Sequence, residues 1–256
     1  MTKESVNPPE NMTEDITLGE VTKIDEVERM KIELISTVSH ELRTPLSSVL
    51  GFTELLRHKQ LKPEKQKKYL DAIYKETKRL THLIDNFLDL QRMESGHQLY
   101  EMSEIMLNEL AAEAIGRFRA ESSHCFLIED ETADAKVKGD RNKMAQVLTN
   151  LIGNAVKFSP GGGQVAVALS NEADQVVVSI HDEGIGIPAE EVPKLFNKFQ
   201  RVDNSASREI GGTGLGLAIC REIIEKHNGM ITIDSEEGKG TTVRFSLPLF
   251  SSERVK

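Results

Sequence analysis

Cysteine is scarce in this sequence, long apolar runs are missing, and positive charge is outnumbered. The 256-residue chain carries two cysteines, Cys125 and Cys220. They lie far apart in no metal-ligand spacing, which excludes a disulfide framework and points to a reducing compartment. No run of about 18 apolar residues occurs, so no segment is expected to span a membrane. The opening stretch, MTKESVNPPENMTEDITLGE, is polar and acidic and lacks the apolar centre of a signal peptide; residues 1–23 are expected to be a flexible or linking segment. Lys and Arg number 32 against 41 Asp and Glu, a formal net charge of -9. That balance argues against nucleic acid as a partner, since phosphate binding needs basic surface. There is no internal repeat and no low-complexity tract.

What is present is a soluble type of composition, 38% apolar and 29% charged, long enough for two domains. From about Ile24 to Leu56 apolar residues recur at helical spacing, with Leu34, Val38, Leu42, Leu46, Val49 and Leu56 on one side of the wheel. RHKQLKPEK supplies a polar turn, with Pro63 suited to a first helical turn. A second helical pattern runs from about Glu64 to Met93 through Leu70, Ile73, Thr77, Leu80, Ile84, Phe87 and Leu88, and Gly96 suits its C-terminal cap. Each helix would be about 45 Å long. One hairpin of this kind leaves much of its apolar stripe wet, so the expected remedy is a homodimer, a four-helix bundle.

After Gly96 the texture changes. LNELAAEAIGRFRAESSH and DRNKMAQVLTNLIGNAVKFS look helical. GQVAVALS and QVVVSIHD alternate as half-buried strands joined by a turn at NEAD. GTGLGLAICREIIEKHNG is a glycine-rich loop running into a helix closed by Gly229, and MITIDS with TTVRFSLPL forms a closing hairpin around EEGKG. The expected fold class is a helical hairpin followed by an α/β sandwich of about 150 residues, a normal domain size.

Four short stretches carry chemistry. In STVSHELRTPLSSVLGF, His40 faces away from the apolar stripe and Thr44 shares its face one turn later. Glu41 adjoins, and Pro45 removes a helical hydrogen bond at a cost of about 3 kcal/mol. A neutral exposed imidazole beside a carboxylate and a hydroxyl suits a reactive site; a plain surface histidine suits the same pattern. In NLIGNAVKF, Asn150 and Asn154 project from one helix face, with Lys157 a turn on. Amide oxygens can ligate Mg²⁺ without adding negative charge beside a triphosphate, and a lysine can neutralise phosphate; a solvated polar face is the alternative. In HDEGIGIP, Gly184 and Gly186 permit close backbone approach after a strand that ends in Asp182, whose carboxylate can accept from an adenine amino group; a glycine turn with a solvated aspartate is the alternative. In GGTGLGLAI the glycines lead into a helix N-terminus suited to phosphate, in neither Walker A nor Rossmann spacing. Between the last two, LFNKFQRVDNSASREI has the composition of a lid anchored by Phe196 and Phe199, with Arg201 a candidate for the terminal phosphate.

Together, in this order, these stretches resemble the core of a sensor histidine kinase from two-component signalling, over roughly residues 24–250. SHELRTPL resembles the family's H box, NLIGNAVKF its N box, DEGIGIP and GGTGLGL its two glycine boxes, and LFNKF its F box. The resemblance implies a dimerisation and histidine-phosphotransfer domain over 24–97, a catalytic ATP-binding domain of the Hsp90-like ATPase fold over 98–250, and a tail over 251–256. It implies ATP and Mg²⁺ as cofactors, His40 as phosphoacceptor and Glu41 as its general base. Asn154 would hold the metal; Asn150, Lys157 and Phe158 would serve the nucleotide; Asp182 would read adenine. Gly184, Gly186, Gly212, Thr213, Gly214, Leu215 and Gly216 would line the nucleotide, and Arg201 would approach its γ-phosphate. The implied partner is a response-regulator receiver domain, whose aspartate takes the phosphoryl group. Thr44, in a Glu-x-x-Thr spacing, would serve phosphatase activity toward that regulator. The expected location is cytoplasmic, with membrane anchoring left to a full-length protein. An ATPase of the same superfamily, such as a chaperone or DNA-repair protein, or an anti-sigma serine kinase, accounts for the Asn and Gly boxes but not for the histidine hairpin. A non-catalytic nucleotide-binding scaffold leaves His40, Asn154 and Asp182 without a purpose.

Overall fold

The computed structural model describes residues 14–120, 122–132, 136–202, 210 and 212–250, with side chains from Ile35 onward. Residues 1–13 of the segment 1–23 expected to be flexible, the side chain of Leu34 in the first stripe, lid residues 203–209, Gly211 of the last glycine box and the tail 251–256 lie outside that description, whereas residues 14–23 are helical. Contacts divide the chain into two compact units, Met1–Thr81 and His82–Lys256.

The first unit holds a helical hairpin whose second helix runs on past Thr81 into the second unit. Helix α1 spans Glu14–His58 and α2 spans Pro63–Glu94. α1 begins ten residues before the onset at Ile24 that periodicity indicates, on Glu14 and Asp15, residue types that complement the positive end of the helix dipole. α1 runs unbroken through Pro45, which is buried. The Phe52 and Tyr69 rings lie 5.3 Å apart and Glu41 pairs with Arg79 across the hairpin at 3.6 Å. These two contacts set an antiparallel register in which Leu50 stands level with Leu70 and Leu46 with Tyr74. All four are more than half exposed, at 59%, 57%, 59% and 66% respectively. At the far end of α2, Gly96 has φ 69° and the His97 and Gln98 amides donate back to Arg92, the glycine-closed terminus its sequence indicates.

The second unit is a two-layer α/β sandwich. Its main sheet has the order β2–β4–β5–β7–β6, built from β2 Cys125–Asp130, β4 Gln164–Glu172, β5 Gln175–Asp182, β6 Met230–Glu236 and β7 Gly240–Pro248. β2 runs parallel to β4; every other pairing is antiparallel. A small second sheet pairs β1 Met102–Met106 with β3 Lys136–Asp140. Helices α3 Leu107–Arg119, α4 Arg141–Lys157 and α5 Gly216–Lys226 cover the main sheet. The period-2 alternation is literal: Val165, Val167 and Leu169 of β4, Val176, Val178 and Ile180 of β5, and Phe245 and Leu247 of β7 are buried in one apolar cluster with Leu148, Leu151, Ile152, Ile219 and Ile223 of the helices. Leu90 and Met93, near the end of α2, belong to the same cluster. Strands β1, β2 and β3 are additions to the sequence reading; they are short, and CFLIED exposes five of its six residues, so no alternation marks it.

One terminus departs from its expected chemistry. α5 is closed not by Gly229 in a left-handed conformation but by Asn228, at φ 57°. Gly229 is needed for space instead, since a Cβ there would stand 2.2 Å from the Ser246 carbonyl oxygen.

Candidate functional site

The nucleotide-type residues converge at one end of the sandwich because three element ends meet there. Helix α4 starts at Asp140, whose carboxylate caps the Asn142 and Lys143 amides at 2.9 and 3.1 Å. This sets the rotation of the helix, burying Leu148, Leu151 and Ile152 and turning Asn150, Asn154 and Lys157 to its half-buried side. The Asn150 side chain is half-buried and its amide lies beside the buried Cys220 thiol, toward which it hydrogen-bonds. Beyond the helix, the Lys157 ammonium sits 4.7 Å from the centre of the Phe158 ring.

β5 delivers Asp182 to the same end. It is only 6% exposed, opposite Thr241 of β7. Burial pushes its carboxyl above the usual carboxylate range, partly offset by the Gly184 N–H, the nearby His181, the Thr241 N–H and the Ser159 hydroxyl. The Gly184 amide donates to Asp182 Oδ1 at 2.9 Å, and the Ile185 amide donates to the Phe158 carbonyl at 3.0 Å. The loop after β5 is thereby stitched to the end of α4. A side chain at Gly184 has no room: its Cβ would stand 2.3 Å from the Phe158 oxygen, 2.6 Å from Asp182 Oδ1 and 2.7 Å from Ser159 Oγ. Ser159 is a site residue the sequence reading did not single out. Its buried hydroxyl lies beside Asp182 and donates toward that carboxylate, and its only sequence signal is its place directly after Phe158.

The glycine-rich stretch closes the arrangement. A Cβ at Gly212 would stand 2.7 Å from Lys157 Nζ, and one at Gly216 would stand 4.0 Å from the Asn150 amide. Gly214 takes φ 68° and its carbonyl accepts from the Phe199 amide at 2.9 Å; a Cβ there would lie 2.6 Å from the Phe199 backbone. Thr213 Oγ1 accepts from the Leu215 amide at 3.3 Å and Leu215 is fully buried, which fixes the turn entering α5. Phe196 and Phe199 pack on the core, and the Arg221 guanidinium lies 5.6 Å from the Phe196 ring centre. Arg201 follows two residues after Phe199, half-buried in irregular backbone. Gly186, at φ 64°, sits where a Cβ would meet the Glu236 carbonyl at 2.0 Å, so it ties the loop after β5 to the β6–β7 turn.

These observations fit an adenine nucleotide. There is a buried carboxylate, a glycine cradle approached by a lysine, and a helix N-terminus at Gly216. No group of three or more His, Cys, Asp or Glu suited to a metal occurs among the described residues. A hard cation here would therefore rely on an amide oxygen and ligand phosphates, for which Asn154 is the donor of suitable type.

In the helical hairpin His40 is exposed, opposite in character to the buried Val38 and Pro45. Glu41 is half-buried and turned toward Arg79 of α2. Thr44 Oγ1 stands 3.5 Å from the His40 carbonyl, a contact at the outer limit of a hydrogen bond. No helix among the described residues is long and apolar enough to cross a membrane.

Comparison with known proteins agrees with both halves. The family model described as His Kinase A (phospho-acceptor) domain matches residues 30–96, and the model described as Histidine kinase-, DNA gyrase B-, and HSP90-like ATPase matches residues 139–251. The chain is 37% identical over 238 residues to the sensor histidine kinase WalK of Bacillus subtilis (strain 168), covering 90% of this chain and 38% of that protein. It is 36% identical over 225 residues to the circadian input-output histidine kinase CikA of Synechococcus elongatus, covering 85% of this chain and 30% of that protein. The chain thus spans about two fifths or less of the length of these relatives. Among solved structures, the catalytic domain of histidine kinase ThkA matches at 34% identity and TM-score 0.51, over 58% of this chain and 95% of that one. Histidine kinase ThkA in complex with the response regulator protein TrrA matches at 29% identity and TM-score 0.72, over 96% of this chain and 70% of that one. With a phosphoacceptor hairpin ahead of an ATPase-type sandwich, and with these relatives, the chain belongs to the sensor histidine kinase family.

Proposed function

We propose that this chain phosphorylates itself on His40 at the expense of ATP and passes the phosphoryl group to an aspartate of a response-regulator receiver domain. The observation that carries this reading is the pairing of two features: an exposed imidazole on one unit, and, on the other, a buried Asp182 carboxylate inside a glycine cradle flanked by Lys157. The functional division is 24–97 for dimerisation and phosphotransfer and 98–250 for nucleotide binding and catalysis.

Asp182 accepts from the adenine amino group and so selects the base. Lys157 and the N-terminus of α5 at Gly216 offset phosphate charge; Asn150, Phe158, Gly184, Gly186, Gly212, Thr213, Gly214 and Leu215 shape the cavity around the nucleotide. Arg201 approaches the γ-phosphate. Asn154 would hold Mg²⁺, which would offset charge on the phosphates. Positioning and charge neutralisation supply most of the acceleration in phosphoryl transfer. One His40 ring nitrogen forms the new N–P bond with its lone pair, the bond from the γ-phosphorus to the bridging oxygen breaks, and its electron pair leaves with ADP. Glu41 accepts the proton of the other ring nitrogen, which keeps the imidazole nucleophilic.

Two copies assemble through the helical hairpin, covering Leu46, Leu50, Leu70 and Tyr74, which a single hairpin leaves exposed. Thr44 serves the reverse task, orienting water for attack on the phospho-aspartate of the docked regulator. The reaction belongs in the cytoplasm, where ATP is. Incubation of the chain with radiolabelled ATP, Mg²⁺ and a panel of receiver domains tests the reading. Acid-labile label on the wild type, its loss in His40→Gln with ADP affinity retained, and passage of label to a receiver are the expected results. Label persisting in His40→Gln would place the acceptor elsewhere.

A further inference from the structure

His40 and Glu41 are consecutive on α1, so their side chains leave the helix about 100° apart. His40 points to solvent, whereas Glu41 points toward α2, where its Oε2 stands 3.6 Å from Arg79 Nη2. Arg79 is shared. Its Nη1 lies 3.8 Å from Glu76 Oε2, a buried oxygen with no hydrogen-bond partner among the described residues. One guanidinium therefore stands between two carboxylates, one of them next to the phosphoacceptor. In this arrangement the Glu41 carboxylate is directed away from the imidazole whose proton it has to take.

We propose that Arg79 is a positioning residue that holds Glu41 off His40 in the resting hairpin, and that Glu76 sets how firmly it does so. The inference rests on the reading above, in which Glu41 accepts the imidazole proton. Side-chain exposure is 35% for Arg79 and 19% for Glu41, so the pair is partly wet and its hold is weak. A weak hold suits a latch: Glu41 leaves Arg79 by changing rotamer, without unfolding any part of the hairpin. It also bounds the effect. A partly exposed ion pair shifts a two-state equilibrium by no more than about fivefold.

The test is the initial rate of His40 labelling by the full chain at saturating ATP and Mg²⁺. Arg79→Gln is expected to raise this rate by about two- to fivefold with KM for ATP unchanged, since the change lies in the availability of the base and not in nucleotide binding. Glu76→Gln is expected to lower it, because Arg79 then has one carboxylate less to share. Arg79→Lys restores the charge and brings the rate back toward wild type. In a Glu41→Gln background, Arg79→Gln raises nothing; a purely structural effect of Arg79 would persist there. Light scattering and ADP affinity establish that each variant is folded. An Arg79→Gln rate equal to or below wild type, or a rise that survives in the Glu41→Gln background, overturns the latch. If Glu41→Gln labels His40 as fast as wild type, the proton-acceptor reading fails and the latch falls with it. If Glu41→Gln is slow and Arg79→Gln is unchanged, the latch alone falls.

Discussion

Replacing Asp182 by Asn separates the two demands made on that position. Two backbone N–H groups, of Gly184 and Thr241, already converge on the carboxylate, with Gly184 donating to Oδ1 at 2.9 Å. A carboxylate accepts at both oxygens; an amide has one oxygen and one NH₂. In Asp182→Asn the NH₂ satisfies only the Ser159 hydroxyl, which can turn to accept from it, and it cannot accept from a backbone N–H and the adenine amino group together as the carboxylate does. Losing a hydrogen bond to a charged acceptor costs about 1.5–3 kcal/mol, so ADP affinity should fall roughly 10- to 150-fold. Discrimination between ADP and GDP should fall with it, because guanine presents an acceptor where adenine presents a donor. The pH dependence carries a second signature. Burial raises the Asp182 carboxyl above its unfolded value, so the native state binds the proton more tightly than the unfolded one. Its contribution to stability is complete below the unfolded value of about 4 and is lost as pH rises through the raised native value. Nucleotide binding runs the other way: the wild type should lose ADP affinity as acid protonates Asp182, and Asp182→Asn should not. Calorimetric titration with ADP and GDP over a pH series, with thermal melts of the same samples, measures all three. An Asp182→Asn protein that melts cooperatively yet binds ADP within about threefold of wild type, well short of the 1.4 kcal/mol that makes a factor of ten, would refute the assignment of Asp182 to adenine.

Four further outcomes are expected. Asn154→Ala should weaken Mg²⁺-dependent ATP affinity by at least roughly 10-fold, the smallest loss typical even of groups that only orient a metal ligand, and unchanged Mg²⁺ dependence in binding and labelling would reject Asn154 as the ligand. Thr44→Ala should keep His40 labelling and lose ADP-stimulated dephosphorylation of the regulator, whereas a normal phosphatase rate would leave Thr44 with only its backbone contact to His40. The wild type should scatter light as a dimer at micromolar concentration and the pair Leu46→Glu, Leu50→Glu as a monomer; a wild-type monomer contradicts the role given to the exposed stripe. His227 is buried, accepting from the Asp140 amide at 2.9 Å through Nε2 and donating from Nδ1 to the Ile223 carbonyl at 2.7 Å. His227→Ala leaves that amide unsatisfied beside a cavity, and should cost about 2–4 kcal/mol in urea unfolding; a loss below 1 kcal/mol would mean that water replaces the ring.

Periodicity and glycine spacing were enough, by themselves, to place the long helices, the hairpins β4–β5 and β6–β7 and the glycine-rich entry to α5. Each of those signals is local: a stripe every three to four residues, an alternation every two, a residue that alone fits a turn. The stretches proposed to carry chemistry stand out for the same reason, because His40, Asn154 and Asp182 sit within short runs whose residue types suit one task. What the chain order could not disclose is what happens between distant segments. The start of α1 at Glu14 and the strand CFLIED carry no periodic mark, and β2 exists because it lies parallel to β4. Asn228 rather than Gly229 takes the left-handed turn because Gly229 is pressed against Ser246, some seventeen positions along the chain. Ser159 joins the site only because the loop after β5 folds onto the end of α4. Arg79 meets Glu41 only through the register of the hairpin. Local sequence determines which element forms and what chemistry it carries; close approach of backbone to backbone, and of one charge to another, is a property of packing, where distances of a few tenths of an ångström decide what fits.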